Sequence, residues 1–182
     1  MCHYITAVLP GSADHTSLAA IADQYGRNLT PLKNSSIEEQ LNAGERYFRT
    51  TRGHCDCGTA LGALGRQEKQ LNRRNNSIEA EEEKLRRKGW SESKISRWKE
   101  QKDQHLANPP KSADPTDWEH LVTEMLKSGK TPFVGILLHF YSGSIEGPIE
   151  LQGREAIKVK KVGPEVLGRL KEDVLYEFRT ES

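Results

Sequence analysis

The chain has 182 residues, enough for one sizeable core and an appendage, and its 35% apolar against 29% charged content requires part of it to be solvated helix. A net charge of +1 gives no global pull toward nucleic acid or a membrane surface. No apolar run approaches the roughly 20 residues of a membrane span, residues 1–10 lack the basic lead-in of a signal peptide, and three cysteines, an odd number, do not make the disulfide frame of a secreted domain; free thiols and a cytoplasmic location are expected.

Residues 3–9, with Tyr4, Ile5, Thr6 and Val8, predict a first strand stopped by Pro10-Gly11. Asp14 can cap a helix whose apolar positions Leu18, Ala19, Ile21 and Ala22 share one face, ending near Gly26. Ser36 and Glu39 have capping-box spacing for a short helical turn. Residues 46–51, with Tyr47 and Phe48 as their bulk, predict a second strand.

From Leu61 the pattern changes. Leu64, Leu71, Ile78 and Leu85 recur every seven residues among Arg, Lys, Glu, Asn and Gln. That stripe is too narrow for a core helix but sufficient for a seam against a second helix. Gly89 supplies a C-cap, Ser91 an N-cap, and Ile95, Trp98 and Leu106 a second partial stripe, before Asn108-Pro109-Pro110 ends the pattern. The expectation is an antiparallel helical hairpin over about 60–88 and 91–107, projecting from the body as an inserted arm. Its blocks of alternating charge suit docking to another protein or to a second copy of the chain; with no motif of a nucleic-acid module, nucleic acid is not the expected partner.

Asp114-Pro115 predicts a helix start, with proline at its preferred first position. Trp118, Leu121, Val122, Met125 and Leu126 form a full i, i+3, i+4, i+7, i+8 face that must lie on the core, and Gly129 closes the helix. The continuous apolar run over 133–141 predicts a central strand covered on both faces. Ile157 and Val159, alternating with lysines, predict a strand with one wet face. Pro164 starts a short helix through Leu170, and residues 174–178 form a last strand. The fold class expected is α+β: a mixed or mostly antiparallel sheet of about five strands packed by helices, one domain over 1–182 with 60–107 inserted.

The chemistry is concentrated in Gly53-His54-Cys55-Asp56-Cys57-Gly58-Thr59, between the second strand and the long helix. Unpartnered amides at a helix start favour negative charge, so a cysteine there loses its proton more easily. Cys55 and Cys57 are two close thiolates; a tetrahedral zinc site needs four nitrogen or sulfur ligands. Cys2 and His3 open the first strand. If the first two strands pair antiparallel, Cys2 and His3 meet His54, Cys55 and Cys57; if they pair in parallel, they do not. The metal set expected is therefore Cys2, His54, Cys55 and Cys57, with zinc as the ion. The same residues also allow a reactive thiol, with His54, His3 or His139 as base, or three cysteines that merely pack as small hydrophobes. A reading of a different class makes the chain a non-enzymatic binding protein, a regulator or a toxin-immunity type, that uses the arm. Arg46, Arg49 and Arg52 flank the cluster and are read as solvated strand arginines before an anion site. His139 is read as a hydrogen-bonded core histidine.

Overall fold

The computed structural model describes residues 2–105, 116–141 and 143–180, with side chains outside 64–77 and 100–105. In chain order the elements are β1 (Cys2–Pro10), α1 (His15–Gln24), β2 (Thr30–Pro31), α2 (Ser35–Glu38), β3 (Glu45–Arg49), α3 (Ala60–Arg87), α4 (Glu92–His105), α5 (Thr116–Lys127), β4 (Phe133–Tyr141), β5 (Gly153–Lys158), a 3-10 turn (Val159–Lys161), α6 (Pro164–Leu167) and β6 (Val174–Arg179). They form an α+β fold around a six-stranded mixed sheet, in the order β2-β3-β1-β4-β6-β5. Every neighbouring pair is antiparallel except β5 and β6. No helix among the described residues is long and apolar enough to cross a membrane.

The expected strand count of about five falls short by β2, a two-residue strand too brief to leave a periodic signal. The strand expected to start around Ile157 begins at Gly153 and stops at Lys158, because Val159 turns into the 3-10 segment. The capping box on Ser36 and Glu39 does not form. Asn34 caps α2 instead, accepting from the Ile37 amide at 3.2 Å, while Ser36 exchanges hydrogen bonds with the backbone of Ile149. Buried Asn34 also donates to the carbonyls of Ile145 and Gly147, which a serine side chain could not do from that position. The helix start at Asp114-Pro115 and the stop at Asn108-Pro109-Pro110 lie outside the described residues; α5 runs from Thr116.

Two apolar layers cover the sheet. On one face Ile5, Ala7, Leu9, Phe48 and Ile136 meet α1, α5 and α6, and all five predicted residues of α5 are buried there. Each such side chain contributes about 1.5–3 kcal/mol relative to exposure. On the other face Val8, Tyr47, Leu137, Tyr141 and Leu175 meet Ile37 and Ile149. Arg154 of β5 reaches Glu45 of β3 at 2.8 Å and the buried Glu177 of β6 at 2.7 Å on this second face. Strands β1, β4 and β6 lie between β3 and β5, so a flat sheet would hold those two about 19 Å apart at roughly 4.8 Å per strand. The ion pair therefore requires the sheet to curl, concave toward this face. Gly135 permits the curl, since a Cβ there would stand 3.0 Å from both Val8 and Leu175.

The chain divides into two compact units, Met1–Gly65 with Ala113–Ser182, and Arg66–Ser112. The sheet lies in the first. In the second, Lys99 pairs with Glu82 at 2.5 Å and Arg86 with Glu92 at 2.8 Å, while the Trp90 amide turns back to the Leu85 carbonyl. Ile95 is buried, and Ile78 and Leu85 are half-buried; the side chains of Leu64 and Leu71 lie outside the description.

Candidate metal centre

The site is built on an unpaired stretch of β1. Pairing of β3 with β1 stops at Thr6↔Arg49, which leaves the edge of β1 over residues 2–5 without a strand on that side. The loop over residues 50–59 takes its place. The Thr50 hydroxyl donates to the Ile5 carbonyl at 2.5 Å, and the Ile5 amide donates to Asp56 Oδ2 at 2.9 Å. The Asp56 amide donates to the His3 carbonyl at 2.9 Å, and the His3 amide points at Cys57 Sγ at 3.2 Å. Side chains and loop backbone thus replace a ladder whose groups would otherwise be buried without partners.

Asp56 is the centre of this arrangement and is 1% exposed. Besides the Ile5 amide, its carboxylate accepts from the Thr51 hydroxyl and from Arg27 Nη1 at 2.8 Å. Arg27 in turn lies over the Trp118 ring, 4.5 Å from its centroid. The Asp56 carbonyl accepts from the amide and hydroxyl of Thr59, and that hydroxyl caps the Gly62 amide in the first turn of α3. Gly62 packs on the same carbonyl so closely that a Cβ would stand 1.9 Å from its oxygen. With Asp56 fixed on both sides, its neighbours Cys55 and Cys57 are carried to Cys2.

The antiparallel alternative is the one realised, and the ligand atoms of Cys2, Cys55 and Cys57 all lie within 4.8 Å of one another. None of the three cysteines is in a disulfide, and all are half-buried. Around a tetrahedral zinc with Zn–S bonds near 2.3 Å, sulfurs stand about 3.8 Å apart, so the group needs only a small contraction to hold an ion.

His54 is exposed and stands outside this group. His3 turns to the opposite face of the sheet, 2% exposed, where its Nε2 meets Glu172 at 2.7 Å. Of the flanking arginines, Arg49 donates to the Gly53 carbonyl and lies 5.8 Å over the Tyr4 ring, while Arg52 pairs with Asp23.

The expected acidification at the helix start is not found at Cys55. The Cys57 amide favours its thiolate, but burial, thiol hydrogen bonds to Cys57 and Cys2, and repulsion from Cys57 together push the Cys55 thiol up. The Tyr4 phenol is also pushed up, first by burial and then by Cys2, against the pull of Arg49. Asp56 stands inside the cysteine cluster, but sequence pattern assigns no role to it or to Arg27, which together position the site. The available signal was an acid enclosed between two cysteines and two glycines.

No protein family, no curated protein and no solved structure matches this chain.

Proposed function

We propose that Cys2, Cys55 and Cys57 bind a zinc ion through three thiolates, and that this centre is the functional site. The observation that supports the reading is the meeting of all three cysteines of the chain at one point. Zinc suits a sulfur-rich tetrahedral set. The upward push on Cys55 weighs against an unassisted thiol nucleophile, which needs a depressed pKa; a cation among three crowded sulfurs would relieve it. His54, with its side chain in solvent, is left outside the resident set. Elemental analysis of protein loaded with zinc and desalted tests this. About one equivalent should be retained by the parent and by His54→Ala, with an at least tenfold loss of affinity in Cys2→Ser, Cys55→Ser and Cys57→Ser. A parent chain that retains no zinc overturns the reading.

A second reading assigns partner binding to the unit Arg66–Ser112. Its separate compactness supports this, as does its charge: residues 66–102 hold 12 basic and 7 acidic side chains, a net +5 that leaves −4 elsewhere. The partner proposed is an acidic protein surface, a second copy's included. Replacing residues 70–103 by a short linker should abolish association in pull-down or sedimentation while zinc content stays unchanged. The double variant Cys55→Ser/Cys57→Ser should do the reverse. A truncated chain that cannot fold contradicts the arm reading.

A further inference from the structure

Arg49 carries a positive charge that no described carboxylate meets. Three arginines among the described residues are half-buried: Arg27, Arg49 and Arg154. Arg27 pairs with Asp56, and Arg154 with Glu45 and Glu177. Arg49 instead donates from one guanidinium nitrogen to the Gly53 carbonyl at 2.9 Å, and its Nε is enclosed with no hydrogen-bond partner among the described residues. A guanidinium keeps its charge at any working pH. Drawn partly out of water, that charge needs an opposite one nearby.

The register sets that charge on the side from which the cysteines arrive. Arg49 pairs with Thr6 across β3 and β1, so alternation along β1 places it on the face of Cys2 and Tyr4. It is the last residue of β3, where the loop that carries Cys55 and Cys57 along the same edge of β1 begins. Gly53, its acceptor, lies in that loop two residues before Cys55. The guanidinium carbon stands 5.8 Å from the centroid of the Tyr4 ring, and Tyr4 follows Cys2 directly on this face. Burial pushes the Tyr4 phenol up, Cys2, Cys55 and Cys57 push it the same way, and Arg49 pulls it down. The three sulfurs and the guanidinium therefore act on one and the same oxygen.

We infer that Arg49 is the counter-charge of the three-cysteine centre and selects a divalent ion for it. A divalent ion held by three thiolates leaves one net negative charge, which a single half-buried guanidinium matches. A trivalent ion on the same sulfurs is neutral and gains nothing from Arg49. The effect needs no contact with the ion, because charges interact over several ångströms where water is partly excluded. The inference rests on the metal reading.

Zinc and arsenite are titrated into the full, reduced chain, zinc by competition with a chelating dye and arsenite by its sulfur-to-arsenic absorption in the ultraviolet. Arsenite binds with no change of oxidation state: three S–H and three As–O bonds break, three S–As bonds form, and three waters leave with no charge added. Arg49→Gln should weaken zinc about tenfold or more and leave arsenite within about twofold, and Arg49→Lys should recover most of the zinc affinity. Equal weakening of both probes in Arg49→Gln would mean that the side chain only holds the loop through Gly53. Zinc unmoved by Arg49→Gln, or as weak in Arg49→Lys as in Arg49→Gln, would mean that the charge plays no part. Any of these overturns the inference and leaves the metal reading standing. A parent chain that takes no zinc, whether or not it takes arsenite, overturns both.

Discussion

At the scale of single residues, Asp56 holds the site together. A carboxylate this deeply buried is tolerable only because it accepts from the Ile5 amide, the Thr51 hydroxyl and the Arg27 guanidinium. Removing it strands Arg27, which is 14% exposed, and leaves the Ile5 amide without a partner. Asp56→Ala should therefore destabilise the fold by about 3–5 kcal/mol, measured by urea unfolding, and Asp56→Asn, which keeps the shape but not the charge, by less. A cost below about 1 kcal/mol for Asp56→Ala would show that the loop does not depend on this clamp. Residue type points to the cysteines as ligands but gives the aspartate no role. A short polar residue in a glycine-flanked loop looks solvated until the strand it bonds to is known.

The elements show where sequence pattern carries information and where it stops. The stripe Trp118, Leu121, Val122, Met125, Leu126 and the run Phe133–Tyr141 matched α5 and β4, because both segments are long and answer to one burial period. The Ser36 box failed because the capping residue was chosen by tertiary bonds to Ile145 and Gly147, which no local pattern encodes. The meeting of Cys2 with Cys55 and Cys57 was legible only as an alternative, since strand direction is a property of the pair. His139 could be read as a hydrogen-bonded strand histidine, but its partner Asp173 came from a turn that only the topology brings near. The junction of the loop with α3 offers a sharp test at this scale. Gly62→Ala would drive a methyl group into the Asp56 backbone, so the loop must move. Metal affinity should fall at least tenfold, while far-ultraviolet circular dichroism changes little, because alanine is the better helix former. Unchanged affinity would mean that the loop and α3 are not coupled.

For the whole molecule, the proposed centre and the proposed partner surface fall in different compact units. The sheet unit holds every residue of the proposed centre, and the unit Arg66–Ser112 holds the positive excess that the second reading uses. Loss of metal should act on the first through linkage: an ion that binds only the folded state adds RT ln(1 + [L]/Kd), about 2.7 kcal/mol at a hundredfold excess over Kd. X-ray absorption at the zinc edge of the loaded protein reads the ligand set itself. Three sulfur scatterers near 2.3 Å and one lighter nitrogen or oxygen neighbour near 2.0–2.2 Å are expected, with the sulfur count falling to two in Cys2→Ser. A shell of nitrogen and oxygen alone, or a sulfur count that Cys2→Ser leaves unchanged, would contradict it.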